Sequence, residues 1–70
     1  MTTIVSPVAG VLMEYLVGVG DAVAEGQEVA MLESMKMEIP VAAEASGTVA
    51  KLCFDAGATV AEGAALIELS

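Results

Sequence analysis

Few side chains in this sequence are able to do chemistry. It has two lysines, one cysteine, one tyrosine, ten carboxylates and no histidine. Without histidine it lacks the commonest general acid–base group and the usual activator of a serine or cysteine nucleophile, which argues against a self-sufficient hydrolase. A structural zinc site of the Cys/His kind is excluded for the same reason. Cys53 has no second cysteine to bond with, reads as a small buried hydrophobe and fits a reducing, cytoplasmic compartment. The formal charge of −8 makes nucleic acid and anionic membrane surfaces poor partners, because phosphate neutralisation needs clustered Lys or Arg. The longest uncharged stretch, residues 1–13, is too short for a membrane-spanning helix and holds Ser6, Pro7 and Gly10. What remains is Lys36, set between Met35 and Met37. A lysine ammonium in water is protonated at neutral pH, so an exposed Lys36 suits acylation by another enzyme that docks onto it and removes the proton. Nothing in the sequence supplies the apolar pocket that a Schiff-base lysine needs.

The elements that hold this lysine follow from an internal repeat. Residues 10–26, GVLMEYLVGVGDAVAEG, lie over residues 47–63, GTVAKLCFDAGATVAEG. Gly10/Gly47, Gly20/Gly57, Val23/Val60, Ala24/Ala61, Glu25/Glu62 and Gly26/Gly63 are identical, and Leu12/Val49, Tyr15/Leu52 and Val17/Phe54 keep apolar against apolar. Lys51 falls opposite Glu14 and reads as an ordinary outward strand residue. Two copies do not make a solenoid, so a single pseudo-symmetric domain over residues 1–70 is expected. In each half a β-favouring run, 11–17 or 48–54, leads to a glycine loop ending at Gly20 or Gly57. A short piece around Val23 or Val60 follows, then an Ala-Glu-Gly turn and a closing strand, 28–33 or 65–69. Short runs between turn signals indicate an all-β sandwich or barrel. The spacing of Leu12, Tyr15 and Val17 fits a strand with a bulge.

Residues 27–39, QEVAMLESMKMEI, oppose this reading, since Glu, Met, Leu and Lys favour helix. Two features favour strand–turn–strand instead. The repeat pairs 28–33 with an alternating segment, and Pro40 would stop a helix that has no glycine cap. Pairing 4–33 with 41–70 leaves 34–40 over, which puts Lys36 near the symmetry point in the link between halves. A hairpin there lacks the Asn, Asp or Gly that tight turns favour, and such local violations mark functional sites.

Glu33-Ser34-Met35-Lys36-Met37-Glu38 resembles the attachment motif of the biotinyl/lipoyl carrier domain family, where the Met-Lys-Met lysine receives biotin. The resemblance covers essentially the whole chain: Ser6-Pro7, Gly10, Gly20 before Val23 and Glu25-Gly26 before Val29 fall where that family places strands and turns. It implies a flattened β-barrel or sandwich of two four-stranded sheets related by a pseudo-two-fold. The modified lysine would sit on an exposed hairpin. Equal Gly10–Gly20 and Gly47–Gly57 spacings leave no room for the thumb insertion of some carriers. With no Ala/Pro-rich linker ahead of it, the chain resembles a free-standing attachment protein, although an excised domain or small subunit would read the same.

The resemblance further implies a non-catalytic carrier belonging to an acyl-CoA-type carboxylase. Lys36 would be biotinylated by biotin protein ligase, with Met35 and Met37 as ligase recognition elements. Carboxybiotin would then pass between biotin carboxylase and carboxyltransferase. Two alternatives stand beside it: a lipoyl carrier, which the methionines disfavour because lipoyl domains usually have Asp before the lysine, and an unmodified acidic β interaction module.

Overall fold

Val, Ile, Leu and Ala dominate the apolar content and aromatics are scarce, so strands packed face to face must do the burying. The computed structural model, which describes residues 2–70, shows β1 (Thr2–Val5), β2 (Gly10–Tyr15), β3 (Ala22–Val23), β4 (Glu28–Ser34), β5 (Met37–Ala42), β6 (Gly47–Leu52), β7 (Thr59–Val60) and β8 (Ala65–Leu69). They form two four-stranded sheets, ordered β1-β8-β6-β3 and β5-β4-β2-β7, with every pairing antiparallel. The core between them holds Ile4, Leu12, Leu32, Leu66, Ile67 and Leu69, with Val23, Val29, Val41, Val49 and Val60 filling the gaps. Full burial of such side chains is worth about 1.5–3 kcal/mol each, which is what a chain this small has to work with.

The repeat is the symmetry of the fold. The sequence shift carries β2 onto β6, β3 onto β7, β4 onto β8, and β1 onto residues 39–42 of β5. Each sheet therefore draws strands from both halves. The predicted bulge is present twice, between Leu12 and Glu14 against β4 and between Val49 and Lys51 against β8. Backbone bonds repeat in the same way: Gly20 N–H donates to Val49 O (2.8 Å) and Gly57 N–H to Leu12 O (2.7 Å). Gly20 and Gly57 take φ of 93° and 94°, a left-handed conformation that glycine adopts without strain. The links 16–21 and 53–58 are equal in length, as the absence of a thumb requires.

The helix-favouring segment 27–39 is strand, turn and strand. Val29, Ala30 and Leu32 are fully buried on β4, and that packing outweighs local propensity. Pro40 sits on β5, an edge strand, where its missing N–H leaves no ladder bond unmade. The seven-residue link expected from the repeat is shorter in the structure: Ser34 still belongs to β4 and Met37 already to β5. The hairpin ladder outruns the repeat because β4 and β5 are directly joined.

One polar clamp breaks the symmetry. The Tyr15 hydroxyl on β2 donates to Leu66 O of the other sheet (3.0 Å) and accepts from Phe54 N–H (3.2 Å). Cys53 differs from expectation, being half-buried and hydrogen-bonded through its thiol to Glu68 Oε2 (3.7 Å), since its backbone lies just past the end of β6 at the rim of the core. Burial pushes the Tyr15 hydroxyl pKa up, partly offset by the Phe54 amide. Burial, then the Glu68 charge, pushes the Cys53 thiol up.

Both groups are neutral when protonated, so on raising the pH the unfolded chain loses these protons first. Stability is complete below the ordinary thiol value of about 8.5 and declines as pH climbs past it and past the ordinary phenol value of about 10. Denaturant melts from pH 7 to 11 will show this decline. Cys53→Ser will remove its lower part, and Tyr15→Phe its upper part. At pH 7 Tyr15→Phe will cost about 1–2 kcal/mol, because it strands the Phe54 amide.

Candidate functional site

Met35 and Lys36 are the two central residues of the β4–β5 turn. Their φ angles are +52° and +63°, positive at both positions as a type I′ hairpin turn requires. For residues other than glycine this region costs roughly 1–2 kcal/mol each. Met and Lys are unbranched at Cβ and can enter it, whereas Val or Ile would clash. The ladder holds the strained tip in place through Ser34↔Met37, Glu33↔Glu38, Leu32↔Ile39 and Met31↔Pro40. Leu32 anchors it from below, fully buried.

Lys36 is exposed at the apex. Met35 is 88% exposed and Met37 59%, so Met35 adds almost no burial to the fold and Met37 keeps most of its surface in solvent. Glu33 and Glu38 face each other one rung below Ser34 and Met37, two like charges in direct cross-strand register. Such a pair is mildly destabilising, which makes the hairpin neck acidic at some cost to the fold.

Gly10, present in the sequence analysis as half of an identical glycine pair, also shapes this site. A Cβ on Gly10 would lie 2.5 Å from Glu33 O and 3.2 Å from Ser34 Cβ. Glycine there lets β2 close onto the base of the hairpin. Its counterpart Gly47 stands in a looser version of the same contact, where an added Cβ would lie 3.0 Å from Ser70 O. The signal was present as an identical glycine pair in the repeat, but its reason is a backbone approach that no single sequence displays.

The geometry amounts to a lysine held clear of the body on a rigid two-residue turn, with thioethers on both sides. A sequence model of the family described as "Biotin-requiring enzyme" matches residues 2–69. The chain belongs to this biotin/lipoyl family. It is 48% identical over 68 residues to the biotin/lipoyl attachment protein of Bacillus subtilis, covering 97% of this chain and 93% of that one. It is 43% identical to the biotin carboxyl carrier protein of acetyl-CoA carboxylase of Solanum lycopersicum, covering 96% of both. Against the mitochondrial propionyl-CoA carboxylase alpha chain of Homo sapiens it is 48% identical over 64 residues, 91% of this chain but 9% of that one. Among solved structures, the urea carboxylase of Kluyveromyces lactis superposes with a TM-score of 0.91 at 30% identity, covering 99% of this chain and 6% of that one. The chain thus spans most of some relatives and a small part of others. Relatives named as carriers agree with the expectation of a carrier rather than a catalyst.

Two substitutions probe the site's construction. Replacing Met35-Lys36 by Asn-Gly relieves the left-handed strain, and urea melts will show about 1–3 kcal/mol of added stability. Gly10→Ala will destabilise by about 1–3 kcal/mol through the clash with Glu33 O, and Gly47→Ala by less. Equal effects of the two alanines would refute the tighter packing under the hairpin.

Proposed function

We propose that Lys36 is the covalent attachment point for biotin and that the domain works as the carboxyl carrier of a biotin-dependent carboxylase of acyl-CoA or urea type, in the cytoplasm. The observation that carries this reading is the placement of Lys36 at the apex of a strained two-residue turn, between two exposed methionines, in a chain of the biotin/lipoyl family.

Biotin protein ligase is the partner for loading. The Lys36 amine, once deprotonated by that enzyme, attacks the activated carboxyl carbon of biotinyl-AMP. The amide C–N bond forms, the C–O bond to phosphate breaks, and AMP leaves. Met35 and Met37 offer the ligase two unbranched apolar contacts on either side of the nucleophile, and Met35 stands where lipoyl domains usually have Asp, which biases the site toward biotin. The tip fits such a group, since Lys36 is exposed on a two-residue turn above the Glu33–Glu38 rung.

Biotin, when bound, supplies a ring nitrogen that accepts and releases a carboxyl group. The protein's own part is positional. The β4–β5 ladder keeps the apex stiff, so the group on Lys36 samples partner sites at high effective concentration, biotin carboxylase and carboxyltransferase in turn. A lipoyl carrier remains the second reading, because one relative is named for both groups.

Intact mass and peptide mapping after incubation with biotin, ATP and biotin protein ligase test the assignment. One biotinyl group will map to Lys36, and Lys36→Arg will take none while melting at the same temperature as the parent. Lipoyl addition to Lys36 by a lipoyl ligase as readily as biotin would move the protein to the lipoyl branch. No adduct from either enzyme would leave an unmodified interaction module.

A further inference from the structure

The pseudo-two-fold gives the molecule an internal control, because each position on the outer face of one sheet has a counterpart on the other. On the sheet bearing the hairpin, Met31 lies between Glu14 and Pro40 in the ladder, and Val11 lies beside Glu33 one row nearer the tip. Val11 is 37% exposed and Met13, at the bulge, 38%; Pro40 is exposed and Met31 half-buried. The counterparts of Val11, Met13, Met31 and Pro40 are Thr48, Ala50, Glu68 and Thr3, which have the same exposure classes in the same order. On that second face the central row reads Lys51–Glu68–Thr3, an opposite-charge pair with a hydroxyl.

The backbone therefore accepts small or polar residues at all four places. Apolar residues occupy all four of these places only on the face that carries Lys36, the other sheet exposing Val5 near its edge, so the needs of the fold at these places do not explain the band. Its margins are acidic: Glu33 and Glu38 toward the tip, Glu14 beside Met31 in the same row, and Glu28 away from the tip, all exposed. Lys51 sits on the opposite sheet, so Lys36 alone stands against these carboxylates on this face.

We propose that Val11, Met13, Met31 and Pro40 form a docking surface for the enzyme that acylates Lys36, received by an apolar patch rimmed with lysine or arginine on that enzyme. The inference rests on the carrier reading above and names the surface its loading partner uses. Charge selects this occupant over a second copy of the chain, which would set acid against acid with −8 on each molecule. Position selects it as well, since any catalytic site that encloses the Lys36 tip overlies the rungs next to it.

The test exchanges the band for its own counterparts, Val11→Thr, Met13→Ala, Met31→Glu and Pro40→Thr, all residues the same fold already carries at equivalent places. Steady-state biotinylation with biotin, ATP and biotin protein ligase reads the effect. KM for the protein will rise on the order of tenfold with kcat little changed, the loss expected when a small apolar contact is removed. Met13→Ala alone will give a smaller rise, and the mirror variant Thr48→Val/Ala50→Met none. KM for the parent will also rise severalfold with added salt, as charge-guided docking requires. A circular-dichroism melt confirms that each variant is folded. A fourfold variant that is folded and keeps the parental KM overturns the proposal. So does a parent that sediments as a dimer which the variant dissociates, because the band then belongs to a second copy. A parent that takes no biotin from an active ligase overturns the carrier reading itself, and the occupant named here with it.

Discussion

Among the backbone hydrogen bonds that interlock the halves of this protein, two symmetry-related pairs tie its long strands to its short ones. Leu12 N–H donates to Ala58 O while Gly57 N–H donates to Leu12 O, and at the equivalent place Val49 N–H donates to Asp21 O while Gly20 N–H donates to Val49 O. Each pair joins a long strand of one half to the loop that precedes a short strand of the other. β3 thereby completes the sheet of β6, and β7 that of β2. Neither half closes a core alone, because each sheet needs strands from both. A chain this short reaches an adequate buried fraction only by such mutual closure.

The rigidity that follows has a local use. A turn of Met35 and Lys36 in left-handed backbone would not persist in an isolated hairpin, where the strain exceeds what a few ladder bonds return. Here Leu32 and Val29 lock β4 into the core and β2 closes under the hairpin at Gly10, so both flanks of the turn are held. Strain at the apex is held by packing some distance below it. The result is a lysine with a defined origin and a free end, which suits a group that must be presented to enzymes rather than enclosed.

Near-symmetry also separates what the fold demands from what it merely permits. Identical glycines and paired core residues recur in both halves because the same backbone must turn and bury twice. Departures from the repeat stand out against it: the Tyr15 clamp from β2 to β8, the apolar band outside β4, and the acidic neck under Lys36. The same backbone carries Thr, Ala and Glu on one sheet and Val, Met and Met at the equivalent places on the sheet that bears Lys36.

Much of this was legible in the amino-acid order. The repeat, the paired glycine turns, the closing strands and the isolation of Lys36 between two methionines are all local or periodic features, and a pattern that recurs in one chain reports one backbone used twice. The bulge after Leu12 could be read from spacing for the same reason. Three things were decided only in three dimensions. Residues 27–39 favour helix by composition, and the burial of Val29, Ala30 and Leu32 between two sheets makes them strand and turn. The closeness of Gly10 to Glu33 depends on how β2 crosses the end of β4. The band outside the hairpin sheet joins Val11, Met13, Met31 and Pro40 from three strands, and their adjacency arises from ladder register. Sequence order carries the periodicities that one strand or turn imposes on itself. Contacts between strands depend on which registers bury the most hydrocarbon together, and that sum belongs to the whole fold.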